Sequence, residues 1–106
     1  FDARRKICWS EIKLWKSKDY DLTEVIFSIM RLLEEVEVFI LFKKVKKDEV
    51  RVNFRSCSKI DVNKIAQFFG GGGHKRASGT TVKGNINSIE AKVISFVEKY
   101  TDRLKP

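Results

Sequence analysis

Between residues 20 and 33 the apolar side chains Leu22, Val25, Ile26, Ile29, Met30 and Leu33 recur every three or four positions, the spacing of one helix face. Asp21-Leu22-Thr23-Glu24 has the form of a capping box, so the helix is expected to start there. The rhythm then changes. Residues 36–45 are almost continuously apolar until Lys43, as in a strand covered on both faces. Lys46-Lys47-Asp48-Glu49 reads as a polar turn, and residues 50–57 alternate, with Val50, Val52 and Phe54 set against Arg51, Asn53 and Arg55. One side of that strand packs while the other carries hydrogen-bond donors.

Residues 6–14 hold Ile7, Trp9, Ile12 and Leu14 in an alternation that slips phase, which suggests a first strand. Asp61 is placed to cap a short helix whose Val62, Ile65, Ala66 and Phe69 share a face, with Gly70 as its stop. Residues 77–83 form a further expected strand. Asn87-Ser88-Ile89-Glu90 offers a second capping box before Val93, Phe96, Val97, Tyr100 and Leu104 at helical spacing. The predicted order is β-α-β-β-α-β-α, an α/β fold with helices packed on a mixed β-sheet. No internal repeat or linker interrupts it, so residues 1–106 read as a single domain.

One stretch breaks the pattern. Gly70-Gly71-Gly72-Gly73-His74, followed by Lys75, Arg76, Ala77, Ser78 and Gly79, provides almost no side chain for a core. Each glycine also loses more backbone freedom on folding than any other residue. Removing successive Cβ atoms lets a partner approach the backbone N–H groups closely, as anion-binding nests require. The context excludes two familiar phosphate loops. A Walker A loop needs Lys and Ser/Thr directly after its last glycine, and a dinucleotide fingerprint runs strand, glycines, helix. Here the helix precedes the glycines and a strand follows them. A loop after a helix needs one glycine, not four, so the run with His-Lys-Arg behind it is read as a site for an anion.

Charge agrees with that reading. Lys and Arg number 22 against 14 Asp and Glu, a net charge of +8, which favours nucleotides, nucleic acid or acidic membrane surfaces as partners. No apolar run approaches the roughly 20 residues of a membrane span. Cys8 and Cys57 are the only cysteines and are far apart, which fits reduced thiols in the cytoplasm. With His74 as the single histidine, no metal-ligand or catalytic-triad spacing is present. The start at Phe1 reads as an excised piece of a longer protein.

Three other features have to be weighed. Polar residues alternating on a strand usually mark a solvated face, and Arg51 is read that way. Arg55 differs because Ser56 follows it at a strand end, where α/β sheets place ligand crevices. A guanidinium there can grip a phosphate through two donors, with the Ser56 hydroxyl beside it. Lys43, Lys44, Lys46 and Lys47 are assigned only a weak steering role, since turn lysines more often protect an edge. Trp9 and Trp15 are read as core or crevice wall rather than as base-stacking groups.

Val52-Asn53-Phe54-Arg55-Ser56, the short helix, the glycines with His74, and Ala77-Ser78-Gly79 together resemble the C-terminal substrate-binding domain of DHH-family phosphoesterases. The family pattern is a strand ending in Arg-Ser, a helix, Gly-Gly-Gly-His, two variable residues and a small-small-Gly triplet. The match runs over about residues 20–100. Ser78 stands where alanine is usual, and a fourth glycine precedes the motif. The resemblance implies a two-domain enzyme whose N-terminal catalytic domain, absent from this sequence, binds two manganese ions and is a route to dimers. Its implied substrates are short oligoribonucleotides, linear or cyclic dinucleotides, or 3′-phosphoadenosine 5′-phosphate. It also implies that Arg55, Ser56, Gly71, Gly72, Gly73 and His74 hold the substrate. Asn53, Lys75 and Arg76 are additional candidate phosphate contacts. By itself this domain is expected to have no catalytic residue, metal or cofactor. Two rival expectations are an RNA-binding appendage like that of alanyl-tRNA synthetases, which a long basic stripe would favour, and the arm of a RecJ-like nuclease.

Overall fold

The computed structural model of the protein describes residues 2, 5–12, 20–32 and 35–104. Its elements are β1 (Ile7–Ile12), α1 (Tyr20–Met30), β2 (Val38–Lys46), β3 (Glu49–Ser56), α2 (Val62–Phe68), β4 (Gly72–Gly73), β5 (Ala77–Lys83) and α3 (Ile86–Arg103). The expected α/β architecture is present, with one addition. Half of the glycine run is itself a short strand, β4, paired with β5 at the sheet edge. Leu14, Trp15 and Leu33 lie outside the described residues.

The five strands are ordered β1-β2-β3-β5-β4. β1 runs parallel to β2, and every other pairing is antiparallel. The apolar run at residues 36–45 becomes an interior strand because both its faces find cover. Val38, Ile40 and Phe42 join Val50, Val52 and Phe54 of β3 under α2 and α3. Phe39 and Leu41 point the other way and pack with Phe27 and Met30 of α1. At about 25 cal/mol per Å² of apolar surface removed from water, each buried Phe side chain contributes roughly 1.5–3 kcal/mol. These two layers therefore supply most of what holds the sheet together. Trp9 is half-buried against the larger core, in keeping with its reading as a wall.

The helix starts are partly as expected. Asp61 caps α2 by accepting from the backbone N–H of Asn63 and Lys64. α3 begins earlier than the expected capping box, because Asn85 is the cap and accepts from the N–H of Asn87 and Ser88. In α1, Glu24 turns its carboxylate to Arg55. The chain near β1 is tied to α3 through Arg5, which donates to Asp2 and to Asp102 at 3.0 Å each. No described helix is long and apolar enough to cross a membrane.

Candidate functional site

α1 covers only the β1–β2 half of its side of the sheet, and over β3, β5 and β4 that side is open. The cross-strand register places the residues of this open floor in rows. Lys43 of β2 stands opposite Arg51 of β3, which faces Thr81 of β5. In the next row on this face, Leu41 is followed by Asn53, Gly79 and Gly72. In the one after it, Phe39 is followed by Arg55 and Ala77. Side chains thus shrink from Phe and Leu under the helix to glycine at the edge. The result is a groove of about 500 Å³ bounded by Glu24, Lys43, Arg51, Asn53, Arg55 and the Gly72–Gly73 and 77–79 backbones.

Gly79 is what lets the cationic side chains lie flat. A Cβ there would come within 2.6 Å of Arg51 Nη2 and 2.8 Å of Asn53 Oδ1. Arg51 also approaches Thr81 Oγ1, at 3.4 Å. Arg55 is held from the helix side: its Nη2 donates to Glu24 Oε1 at 2.7 Å, and its guanidinium carbon sits 4.8 Å from the Phe27 ring centroid. Lys43 is only 8% exposed. Burial, and then the neighbouring Arg51, push its ammonium below the ordinary lysine pKa. Like charges directly opposite on neighbouring strands destabilise a sheet, so the Lys43–Arg51 pair opposes folding and favours an anion.

The glycines divide into two kinds. Gly71 is structural: a Cβ there would sit 2.2 Å from the Gly79 carbonyl oxygen and 2.8 Å from Thr80 Cα, so the edge strand can lie against β5 only without one. Its N–H donates to Ala66 O, closing the end of α2. Gly73 has φ of +149° and donates its N–H to Asn63 Oδ1 at 3.0 Å. A Cβ at Gly72 would make only an ordinary contact, with Asn63 Oδ1 at 3.5 Å. Gly72 borders the groove, so its backbone faces the space a ligand would occupy.

The remaining residues singled out from the sequence are dispersed. His74 is exposed, one residue beyond the groove-lining Gly73, in a turn closed by its N–H to Ala77 O at 2.7 Å. Lys75 is exposed on the same turn, and its carbonyl accepts from Val62 N–H. Arg76 points away and donates to Ser58 O at 3.1 Å. Ser56 does not line the groove. It has the parity of Val50, Val52 and Phe54 on β3, so its side chain faces the core and is 6% exposed. Its hydroxyl is engaged with the Ser58 backbone. Ser78 likewise turns away and donates to Val62 O at 2.7 Å.

Arg51, expected on a solvated face, and Lys43, expected only to steer, both line the groove, as does Glu24, which the sequence did not single out for it. Parity was a usable signal for Arg51, which shares its side of β3 with Asn53 and Arg55. Lys43 and Glu24 needed the β2–β3 register and the docking of α1. Among the described residues, no group of three or more His, Cys, Asp or Glu side chains is gathered as a metal site. The side chains here suit an anion rather than a two-metal centre.

Residues 13–105 match the DHHA1 domain, a span covering most of the sequence. The chain belongs to the DHHA1 domain family. The resemblance carried by the Arg-Ser strand end and the glycine–histidine motif is thereby borne out. Over 62 residues, 58% of the chain, this DHHA1 domain is 38% identical to the bifunctional oligoribonuclease and PAP phosphatase NrnA of Mycoplasma pneumoniae. It spans 19% of that protein. An exopolyphosphatase-related protein from Bacteroides fragilis shares the fold with a TM-score of 0.68 and 26% identity, over 92% of this chain and 31% of that one. A pGpG-specific phosphodiesterase from Vibrio cholerae has the same fold at 17% identity, with a TM-score of 0.58 over 73% of this chain and 27% of that one.

Proposed function

We propose that this DHHA1 domain binds the phosphate end of a short oligoribonucleotide or dinucleotide for a phosphoesterase whose chemistry resides on a second, catalytic domain. The observation that carries the reading is the convergence of Lys43, Arg51 and Arg55 on a floor without side chains at Gly79 and Gly72. Guanidinium groups match phosphate oxygens through two parallel donors, and the ammonium of Lys43 adds a compact charge. Asn53 supplies a neutral donor and acceptor between them. Arg51 and Asn53 lie across Gly79, while the side of Gly72 leaves room for a sugar or base next to them, and exposed His74 is at hand beside Gly73 to donate to the ligand.

On this reading the domain holds and orients the substrate, and two manganese ions belong to the catalytic domain. When bound, they would activate a water and stabilise the leaving phosphate oxygen. The outer face of α1 and the turn after it expose Val25, Ile29 and Leu32 next to Glu24 of the groove. This apolar strip, continuous with the groove, suits the catalytic domain as its occupant. The names of the oligoribonuclease and pGpG phosphodiesterase relatives support a short nucleotide as ligand.

The test is calorimetric titration of the chain with 5′-phosphorylated diadenylate, with the unphosphorylated dinucleotide, and with a tRNA. Binding that depends on the 5′-phosphate and is weakened by Arg55→Ala or Arg51→Ala is expected. Equal affinity for both dinucleotides, or a preference for tRNA that neither arginine affects, would overturn the proposal.

A further inference from the structure

On the other side of the sheet, α2 and α3 repeat one device. Lys64 precedes Phe68 by four residues on α2, and Lys92 precedes Phe96 by four on α3, so each lysine shares a helix face with its phenylalanine. The two rings meet. Phe68 stacks on Phe96 with centroids 4.0 Å apart and planes 19° from parallel. Phe69 closes the group edge-on to both, at 5.1 and 5.3 Å, and Tyr100 continues the stack beyond Phe96 at 6.2 Å and 18°.

This arrangement is anchored below and open above. Phe69, Phe96 and Tyr100 are partly buried against the main core. Phe68 is 66% exposed with one ring face already on Phe96. A smaller hollow of about 320 Å³ lies here, bounded by Phe68, Phe69, Lys92, Ser95, Phe96 and Lys99. Lys92, Ser95, Phe96 and Lys99 follow the i, i+3, i+4, i+7 spacing of a single α3 stripe, and exposed Arg103 continues it a turn later. No carboxylate bounds the hollow among the described residues.

A protein interface core is ordinarily depleted of lysine, whereas cations flanking an open aromatic face suit a ligand with alternating flat rings and negative charges. We infer that the Phe68–Phe96 ledge is a second binding site, one that stacks a base of a single-stranded oligonucleotide while Lys92 and Lys99 hold its flanking phosphates. The ledge is separate from the groove on the opposite face, so the two sites fail or survive independently. A chain with both would hold a longer strand at two points, with the groove specific for a phosphorylated end and the ledge indifferent to sequence.

The experiment is fluorescence anisotropy with a labelled dodecameric oligoriboadenylate, using protein that carries Arg51→Ala and Arg55→Ala so that the groove is silenced. In this background Phe68→Ala is expected to weaken binding roughly tenfold, while Phe68→Trp retains or improves it because a larger ring stacks better. Lys92→Ala with Lys99→Ala is expected to weaken binding and flatten its salt dependence. Circular dichroism establishes that each variant is folded. Loss of all dodecamer binding once the groove is silenced would overturn the inference. So would equal affinity of folded Phe68→Ala and its parent, or sedimentation in which Phe68→Ala only converts a dimer into monomers and leaves anisotropy unchanged.

Discussion

Val52 and Asn53 are neighbours on one strand and sit in opposite environments. On Val52's side, β3 presents Val50, Val52 and Phe54 to α2 and α3, and each is fully buried. On Asn53's side it presents Arg51, Asn53 and Arg55 to a groove that α1 stops short of covering. The first side is closed by apolar area and stabilises the sheet. The second places Lys43 directly opposite Arg51, against the interest of stability. The contrast shows that a strand can hold its position through one face while the other face is free to be organised for a ligand.

The sharpest way to break this division is to truncate either side. Phe54→Ala should destabilise the fold by about 3–5 kcal/mol, because it removes a fully buried ring from the larger core. Urea denaturation measures it. Arg55→Ala should leave the urea midpoint nearly unchanged, since its partner Glu24 is well exposed and surface pairs contribute little. It should weaken binding of a 5′-phosphorylated dinucleotide by about 1.5–3 kcal/mol if the guanidinium grips phosphate. Were Arg55→Ala as destabilising as Phe54→Ala, the two faces would not be separable in the way described.

The glycines permit a finer cut. Gly71→Ala forces a Cβ into the Gly79 and Thr80 backbone and should destabilise by about 1–3 kcal/mol, read as a lowered Tm. Gly79→Ala meets first the side-chain ends of Arg51 and Asn53 rather than backbone. It should affect ligand affinity more than Tm, and the reverse ranking would place the requirement for Gly79 in folding.

Lys43 connects the two faces energetically. Its ammonium is disfavoured by burial and by Arg51, so the folded-state pKa lies below the unfolded one. Between those two values the unfolded chain binds more protons, and this residue therefore makes stability rise with pH across that alkaline window. Lys43→Met should abolish that slope while weakening phosphate binding, as seen in paired denaturation curves at several pH values. The smallest expected effect is at Glu24. Glu24→Gln removes a carboxylate that competes with phosphate for Arg55, and should tighten dinucleotide binding about two- to fivefold.

Much of this was legible beforehand, for local reasons. Period-two alternation on β3, the 3.6-residue period of α1 and α3 and the Asp61 cap are consequences of near-neighbour geometry. Ser56 shows the cost of ignoring such a rule. Its parity with Phe54 assigns it to the core side, whereas proximity to Arg55 in sequence suggested the groove. Phe68 went unnoticed because it falls off the apolar face of α2, and its stacking partner is 28 positions away on α3.

By itself the sequence determined the elements other than the edge strand β4, the family motif and the excess of positive charge, because periodicity and composition act over a few residues. Only the tertiary structure decided which cations face one another. Lys43 meets Arg51 through the β2–β3 register, and Glu24 meets Arg55 through the docking of a helix 31 positions away in the chain. Such pairings arise from long-range packing of two cores, and packing also decided which half of the sheet α1 leaves open.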